Sequence, residues 1–489
     1  MNRNNIIKII VFILLVSCIG SSVFRALNYK STGGGGGWQR FYAQKEDSID
    51  VMFFGSSHAH CTVDLGYLWD NYGMAGYTLS AGSQMIDGTY YFVKEALKTQ
   101  NPKVIVVEMM GTTGNELADN AAVVYRNTMG MKWSADLREF VHYLAGNLNK
   151  DETWEQEIFA KIPIIHSRYA ELEQADFEDP IPFMKGYRGS FECISFDYPA
   201  GADTQEVLEL NQEKLEWLQK IIALAKEKDV QLVLFASPYS VPEERQMQFN
   251  RIAEIAAQNN VPFINFNHLY DEIGIDFAAD MRDSDHVNNA GAVKVTEYLA
   301  QYLKDNYEIP DRRSEKGYEQ WEQNALYLRN KALRYELENA ADINEYLQKL
   351  TDLKDEQLVI LALTGNYNAL GEVYLEKLSL LGITAGEYYE GGVWILRDGK
   401  TAVRLSGENY SQYYQVQNGE IYLGSRLSVN EDGDSYEEVR LVINGKDYRL
   451  VENGVNIVVY NEAIDQVIDA AGDDIYLGLE LIHNEKSDE

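Results

Sequence analysis

Short apolar runs alternate with helical stripes between about residues 50 and 307, and this alternation restricts the fold more than any other feature. The apolar runs, which suit buried strands, occupy positions 51–54, 104–107, 232–235 and 262–266. Apolar residues recur at helical spacing near positions 86–97, 208–225, 243–258 and 291–304. Strands that alternate with helices predict an α/β domain with a parallel sheet covered by helices on both faces.

The sequence also predicts segments of different character, one within the alternating region and others after it. Residues 111–200 are rich in aromatic and acidic side chains and indicate an irregular insertion or lid. Residues 311–354 are highly charged and predict a helical connector, whereas the short alternating segments of residues 355–489 predict a β-rich α+β domain. A chain of 489 residues is too long for one hydrophobic core, so we expect two or three domains.

The first 30 residues predict export or membrane attachment. Arg3 and Lys8 precede an apolar run, which is the pattern of a signal anchor with a cytoplasmic N-terminus. Three alternatives remain open: an uncleaved anchor, a lipoprotein whose lipidated residue is Cys18, and a cleaved secretion signal. Each places the rest of the chain outside the cytoplasm, and an anchor or a lipid would hold it at the extracytoplasmic face of the cell membrane. A flexible glycine-rich linker is expected at residues 31–48.

The composition argues against several partners and cofactors. The formal net charge of −33 repels nucleic acid, so we expect no nucleic-acid partner. Three cysteines are too few for a disulfide framework or a structural zinc site. Cys61 and Cys193 are either a disulfide pair in an exported protein or two separate core residues. The sequence contains no recognisable nucleotide or metal motif, and we expect no cofactor.

A serine follows the first apolar run, where a strand would reach the carboxyl edge of the sheet. Gly55 and Ser56 separate this run from Ser57, and open α/β sheets bind their ligands at that edge. A serine hydroxyl needs a base to remove its proton, and an imidazole base needs an acceptor that fixes its tautomer. Among seven histidines, only His286 has an aspartate three residues before it, at Asp283. The serine, histidine and aspartate together predict the triad of a serine hydrolase.

Two sequence blocks resemble those of the SGNH/GDSL hydrolase superfamily. Residues 55–57 read Gly-Ser-Ser and are similar to its Gly-Asp-Ser block. Residues 283–291 carry an Asp-x-x-His spacing followed by an asparagine and a glycine, and are similar to its last block. The resemblance covers residues 49–310 and implies a flavodoxin-like three-layer fold, with acyl-ester chemistry on Ser57.

The same resemblance implies an oxyanion hole, which stabilises the negative charge that develops on the ester oxygen. The backbone N–H groups of Ser57 and Gly82 would be two of its donors. The third family block, Gly-x-Asn-Asp, is absent, because Glu108 follows the strand at that place. Asn127 is either a substitute donor or a solvated loop residue. A similar departure occurs in a divergent branch that acts on cell-envelope polymers, such as the membrane-anchored lipoteichoic-acid D-alanylation protein DltD.

The C-terminal part of the chain resembles the interleukin-like EMT inducer (ILEI) domain. The similar segments are residues 342–350, 358–363, 378–382, 392–398 and 453–460. The Gly-Val-Asn-Ile-Val-Val segment, which opens the domain in that family, comes last here, as in a circular permutation. Some members of the family bind sugars, so the resemblance implies either a glycan-binding module or a structural β domain.

These patterns predict an extracytoplasmic serine esterase or O-acyltransferase that acts on an acylated carbohydrate or cell-envelope polymer through an acyl-serine intermediate. The alternative is a non-catalytic glycan-binding or scaffold protein of an envelope acylation system. The absent third block favours the scaffold, whereas the Asp-x-x-His spacing favours the enzyme. The sequence leaves open the acyl group, the acceptor, and whether water or a hydroxyl group receives the acyl group.

Overall fold

A computed structural model of the chain describes residues 3–27, 35–114, 121–161, 169–170, 172, 185–351, 353, 357–406, 410–429, 435–477 and 481–484. The chain divides into two compact units, Met1–Ala325 and Leu326–Glu489. The first unit carries a parallel sheet, and the second carries two antiparallel sheets. The predicted α/β class with a β-rich C-terminal part is therefore confirmed.

The first unit is built on five parallel strands. They are β1 (Val51–Gly55), β2 (Gly76–Ser80), β3 (Val104–Glu108), β4 (Gln231–Ala236) and β5 (Phe263–Asn265). Their order in the sheet is β2-β1-β3-β4-β5, which is the flavodoxin-like order. The helices are α1 (Arg3–Leu27), α2 (Gly35–Tyr42), α3 (Ser57–Thr62), α4 (Leu65–Tyr72), α5 (Ile86–Ala96), α6 (Ala121–Thr128), α7 (Ala135–Asn147), α8 (Glu152–Phe159), α9 (Gln212–Glu227), α10 (Glu243–Gln258), α11 (Tyr270–Ile273) and α12 (Asn289–Asn306).

The central strands are buried along their whole length, which explains their uninterrupted apolar sequence. Every residue of β1 and of β3 is buried, and β1 pairs with β2 on one side and β3 on the other. A strand in a parallel sheet that is covered on both faces has no solvent-facing positions for polar residues. The three strands end at Gly55, Ser80 and Glu108, and the residues that follow therefore meet at one edge of the sheet.

The predicted irregular insertion at residues 111–200 is more helical than expected. Helices α6, α7 and α8 lie within it. In α7, Leu137, Val141 and Leu144 are buried at helical spacing, and Ser134 caps the first turn by accepting the N–H of Leu137 at 3.1 Å. The charged residues between these positions occupy the exposed face, which explains why the segment looks irregular when composition alone is considered.

Helix α2 begins inside the glycine run, so the prediction of a flexible tether is wrong from residue 35 onward. Trp38 and Phe41 of this helix are buried. The Trp38 ring lies 4.8 Å from that of Phe92, and the Phe41 ring lies 5.6 Å from that of Tyr77. These contacts tie the segment to the core of the first unit. The earlier part of the predicted linker, residues 31–34, lies outside the described residues.

Helix α1 carries the apolar segment predicted at the N-terminus. Its residues Asn5–Phe24 have a mean hydropathy of 2.5, and none of this segment is buried. The helix is long and apolar enough to cross a membrane, although a signal sequence would have the same character. An N-terminal membrane anchor or signal sequence is therefore consistent with the structure.

The second unit packs a six-stranded antiparallel sheet against a four-stranded one. The strands are β6 (Gln357–Thr364), β7 (Gly392–Arg397), β8 (Lys400–Leu405), β9 (Ser411–Gln415), β10 (Glu420–Val429), β11 (Ser435–Ile443), β12 (Lys446–Asp447), β13 (Gly454–Asn461), β14 (Gln466–Asp474) and β15 (Ile482–His483). The six-stranded sheet has the order β15-β14-β13-β6-β7-β8, and the four-stranded sheet has the order β12-β11-β10-β9. The helices of this unit are α14 (Ile343–Leu350), α15 (Glu372–Lys377) and α16 (Ala385–Glu390), and they follow α13 (Glu319–Glu338), which spans the boundary between the units.

Strand β6 shows why its six inner positions, 358–363, are all apolar. Val359, Leu361 and Leu363 belong to the core beside helix α14. Leu358 and Ile360 belong to a separate core, shared with the four-stranded sheet. Side chains alternate between the two faces of a strand, so a strand with a core on each face needs apolar residues throughout.

The cysteines do not pair in this structure. Cys61 is buried, Cys193 is exposed, and both are free thiols, as is Cys18. Of the two alternatives for Cys61 and Cys193, the structure has two separate residues, but only Cys61 is in the core.

Candidate active site

Ser57 is presented by the sharp connection between β1 and α3. Gly55 has a φ of +143°, a backbone conformation that favours glycine. Ser56 then caps α3, because its Oγ accepts the N–H of His58 at 3.2 Å. Ser57 is the first residue of the helix and half-buried, and its own N–H bonds to no group in the described part of the chain. The turn therefore places a hydroxyl and an unused N–H together at the edge of the sheet.

A chain of hydrogen bonds joins Ser57, His286 and Asp283. The Nε2 atom of His286 lies 2.8 Å from Oγ of Ser57, although the two residues are 229 positions apart. The Nδ1 atom of His286 lies 2.9 Å and 3.1 Å from the two carboxylate oxygens of Asp283. An imidazole held in this way can accept a proton from the serine at one nitrogen while the carboxylate fixes its tautomer at the other.

The loop that holds His286 is fixed at both ends by its own backbone and by a helix cap. An isolated β-bridge joins Met281 to Val287, and Arg282 donates its N–H to the carbonyl of His286 at 2.9 Å. Asn288 then caps α12 by accepting the N–H groups of Ala290 and Gly291. The asparagine that follows the Asp-x-x-His spacing therefore starts the last helix of the sheet domain.

Asp283 is a charged acceptor in this arrangement. Partial burial alone would raise its pKa, but the N–H of Asp285, the imidazole of His286 and the guanidinium of Arg282 outweigh it, and the pKa lies below its ordinary value of 3.8. The carboxylate accepts the N–H of Asp285 at 2.8 Å and that of His286 at 2.9 Å. It therefore stays ionised at neutral pH and can stabilise a protonated imidazole.

Gly82 lies in the turn that follows β2, at the same edge of the sheet as Ser57. Ala81, just before it, donates its N–H to the carbonyl of Gly55 at 3.4 Å, which ties this turn to the end of β1. The N–H of Gly82 bonds to no group of the described residues. Both N–H groups predicted as oxyanion donors are therefore unused at this edge, and their role stays a prediction.

Asn127 is neither a solvated residue nor part of a loop. It is buried in helix α6. Its Nδ2 donates to the carbonyl of Val123 at 2.7 Å, and its Oδ1 accepts Nε2 of Gln84 at 2.8 Å. Gln84 follows the Gly82 turn, so Asn127 supports that turn, and it makes no hydrogen bond with Ser57 or His286 among the described residues. Its role as a substitute donor stays a prediction that these contacts do not favour.

Comparison with known proteins gives no family assignment. No protein-family model matches the chain, and no curated protein matches it either. One solved structure that matches part of the chain is the crystal structure of a protein of Bacteroides fragilis NCTC 9343, provisionally assigned as an acylhydrolase. The two are 13% identical, the match covers 55% of this chain and 93% of the other, and the TM-score is 0.26. The function is therefore inferred from the side chains of this protein.

Glu108 occupies the place where the resemblance would put the third block. The sequence shows this acid at the end of an apolar run, but it does not reveal its partners. One carboxylate oxygen accepts the hydroxyl of Ser56 at 3.0 Å, and the other accepts the N–H of Met110 at 2.7 Å. Burial raises its pKa to about 7, and these hydrogen bonds only partly oppose that shift. Glu108 thus holds the serine that caps the helix of Ser57.

Two buried histidines lie next to this arrangement. The ring of His58 is centred 5.0 Å from that of His286, and its Nδ1 has no partner among the described residues. Burial, followed by the proximity of His286, lowers the pKa of His58 to about 3. The Nδ1 atom of His60 lies 2.8 Å from Oγ of Ser80, and burial also lowers its pKa well below the ordinary value. Both rings are therefore neutral neighbours, and His286 is the imidazole within reach of Ser57.

The described residues contain no group of three or more histidine, cysteine, aspartate or glutamate side chains that could hold a metal ion. The site itself combines a hydroxyl, an imidazole, a carboxylate and two backbone N–H groups. This set matches the requirements of acyl transfer through a serine.

Proposed function

We propose that this protein is a membrane-attached serine esterase or O-acyltransferase at the extracytoplasmic face of the membrane. Its substrate would be an acylated sugar or cell-envelope glycan. The observation that supports the proposal most strongly is the hydrogen-bonded chain through Ser57, His286 and Asp283. Three residues from two distant segments meet with the distances and order that nucleophilic catalysis requires.

In the first half of the reaction, His286 accepts the proton of Ser57 as Oγ attacks the ester carbonyl. The carbonyl oxygen becomes an oxyanion, which the N–H groups of Ser57 and Gly82 would stabilise. The carbon–oxygen bond to the leaving alcohol then breaks, and the imidazolium returns its proton to that alcohol. Asp283 stabilises the imidazolium while it exists.

In the second half, a hydroxyl compound attacks the acyl-Ser57 intermediate. His286 removes the proton of the attacking group and then returns a proton to Ser57, which restores the starting state. Attack by water gives hydrolysis, and attack by a sugar hydroxyl gives O-acyl transfer. The two outcomes use the same residues, so they differ only in which acceptor occupies the site.

Two features outside the site support the proposed membrane attachment and the proposed glycan substrate. Helix α1 is long and apolar enough to hold the protein at a membrane. The second unit carries the segments that resemble the ILEI domain, some of whose members bind sugars. We propose that this unit contributes glycan binding.

The kinetic test uses the full chain in detergent and an aryl acetate. We expect Ser57→Ala and His286→Ala to lower kcat by roughly 10,000-fold or more, because members of a triad act as a unit. Asp283→Asn should lose somewhat less, since the imidazole remains but its tautomer is no longer fixed. Ser284→Ala is the matched control, because this exposed serine lies on the same loop and should keep full activity.

The alternative function is a non-catalytic glycan-binding or scaffold protein. It is favoured by Glu108, which stands in the place of the asparagine that would donate to the oxyanion. Losing one such donor typically costs about 100-fold to 1000-fold in rate. A wild-type protein that turns over no aryl acetate, with or without a sugar acceptor, would make this alternative the better account.

A further inference from the structure

Three arginines from distant positions in the chain lie beside the proposed active site. One borders the proposed oxyanion donor, one contacts the helix of the nucleophile, and one lies on the loop of the base. A Cβ atom on Gly82 would lie 3.5 Å from Nη1 of Arg126, so this guanidinium borders the proposed oxyanion donor. Arg188 donates its backbone N–H to the carbonyl of His60 at 2.7 Å, and His60 lies on the short helix that begins at Ser57. These contacts place Arg126 beside the Gly82 turn and the backbone of Arg188 beside the helix of the nucleophile.

The third arginine, Arg282, lies on the loop of the proposed base. Its backbone N–H bonds to His286, and its Nε lies 3.6 Å from Oδ2 of Asp283. Its Nη1 lies 3.9 Å from Sγ of Cys61, and its Nε is 4.0 Å from the exposed carboxylate of Glu192. Arg282 therefore has carboxylate partners and serves mainly to hold the loop.

Arg126 and Arg188 differ from Arg282, because neither forms an ion pair with a residue that the structure describes. Arg126 is exposed. Arg188 is half-buried, and its Nε is enclosed without a hydrogen-bond partner in the described part of the chain. A buried guanidinium ordinarily has a carboxylate, a phosphate or a set of carbonyl oxygens as its partner.

The charge of Arg188 is opposed by its own burial and by the other arginines. Burial lowers the pKa of Arg188 to about 10, and repulsion from Arg40, Arg126 and Arg282 adds to that effect, although Cys61 opposes it. Elsewhere the chain is strongly acidic, with 76 aspartates and glutamates against 43 lysines and arginines. A local excess of guanidinium groups in such a chain is therefore a specific feature of this edge of the sheet.

We propose that Arg126 and Arg188 bind an oxyanion, a carboxylate or a phosphate, that the substrate carries next to its ester. Guanidinium groups suit this ligand, because their planar N–H donors match carboxylate and phosphate oxygens. An acidic polymer would be repelled by the net charge of −33 at a distance, so a local basic cluster is needed to seat it. The proposal rests on the proposed function, and it narrows the substrate to acylated acidic glycans or polymers.

The binding test uses the full chain carrying Ser57→Ala, so that no turnover interferes. Calorimetric titration would compare 4-acetoxybenzoate with its neutral amide, 4-acetoxybenzamide, and with 4-acetoxyphenyl phosphate. We expect one or both anionic esters to bind at least about tenfold more tightly than the amide, with a preference that weakens as salt is added. The stronger of the two anions identifies the group that the substrate carries.

The kinetic test uses Arg126→Gln and Arg188→Gln in the otherwise unchanged full chain. Each should lower kcat/KM for the preferred anionic ester by about 10-fold to 100-fold, the range of a lost charge-assisted hydrogen bond. The rate for the neutral amide should change less than about threefold. Because Arg126 is exposed, its substitution tests the proposal even if Arg188→Gln folds poorly. Arg251→Gln, a surface arginine paired with Glu209 at 3.0 Å, is the matched control.

The two tests separate this inference from the proposed function. Equal binding of the anionic and neutral esters to the Ser57→Ala protein overturns the inference, whatever the activity of the wild type. Equal losses on both esters in the arginine variants also overturn it, because a structural role would affect every substrate. Selective binding of the anion by a wild type that hydrolyses none of the esters would support the inference and reject the proposed function.

Discussion

Burial of Glu108 makes the stability of the first unit depend on pH. Its pKa is about 7 in the folded protein, compared with an ordinary value of 4.5, so the folded state holds this proton more tightly than the unfolded state does. The stabilisation is fully present below pH 4.5 and is lost as the pH rises through 7. The difference between the two pKa values corresponds to ~3 kcal/mol. Asp64 and Asp87, whose pKa values burial raises to about 6, act in the same direction.

The Glu108→Gln variant tests this coupling at the residue scale. Hydrogen exchange of the amides in β1 and β3, followed by mass spectrometry, reports the opening free energy of this unit alone. For the wild type we expect that free energy to fall between pH 5 and pH 8, after correction for the intrinsic exchange rate. Over the same pH range, the opening free energy of the variant should fall by up to ~3 kcal/mol less than that of the wild type, because glutamine does not ionise. An identical pH dependence in the two proteins would show that Glu108 is not the group responsible.

Some residues of the site could be predicted from the sequence, and others could not. The spacing of Asp283 and His286 is visible because the carboxylate and the imidazole lie on one loop. The contact between Glu108 and Ser56 crosses 52 positions, and no local pattern indicates it. The arginines beside Gly82 and Ser57 are likewise brought together only by the fold. Residue spacing therefore predicts pairs of residues on one element, whereas a charge cluster built from several elements can be recognised only in the folded structure.

At the scale of elements, the turn between β1 and α3 depends on a residue without a side chain. A Cβ atom on Gly55 would lie 2.8 Å from Cβ of Glu108 and 3.3 Å from Cβ of Ala59. The φ of +143° adds backbone strain of roughly 1–3 kcal/mol for any other residue. Gly55→Ala should therefore lower the unfolding free energy by at least ~2 kcal/mol and displace Ser57, with a loss of activity.

A second glycine offers a matched control for this substitution. Gly146 lies in helix α7, and a Cβ atom there would meet nothing within 4 Å. Gly146→Ala should be neutral or stabilise the protein by up to about 1 kcal/mol, because alanine has the higher helix propensity. Urea unfolding of both variants, monitored together with esterase activity, checks the prediction. A Gly55→Ala protein as stable and active as Gly146→Ala would contradict the account of the turn.

The elements that the sequence predicts best are those with the strongest apolar pattern. Strand β3 and helix α10 lie within one residue of their predicted bounds. Strand β2 was not predicted, because Gly-Tyr-Thr-Leu-Ser contains one aliphatic residue and begins with glycine. Its burial comes from its position at the side of β1 and not from its own hydrophobicity. Tertiary contacts therefore decide the strands that local propensity leaves open.

At the scale of the whole molecule, segments on both sides of the predicted boundaries at residues 49 and 310 belong to the first unit. Trp38 precedes the first boundary and is fully buried. Arg312 follows the second and makes two hydrogen bonds of 2.9 Å to Asp50. Trp321 is also buried and donates its Nε1–H to the carbonyl of Gly76 at 2.9 Å. Truncating a buried tryptophan alone typically costs about 3–5 kcal/mol.

Two fragments test how far the first unit extends. Residues 35–338, which retain these segments and complete helix α13, should give a soluble protein with cooperative urea unfolding. Residues 50–307 should be insoluble or should unfold at a clearly lower urea concentration, because both tryptophans and the Arg312 pairing are removed. Equal unfolding midpoints for the two fragments would show that the flanking segments contribute nothing to the core.

The most direct measurement of the central claim is labelling of the full chain with a fluorophosphonate, followed by mass spectrometry of its peptides. If Ser57 is the nucleophile, its Oγ attacks phosphorus, fluoride leaves, and the adduct is found on Ser57 alone. Labelling should disappear in Ser57→Ala, fall strongly in His286→Ala and persist in Ser284→Ala. An unlabelled wild type, or a Ser57→Ala protein labelled as rapidly as the wild type, would contradict the account.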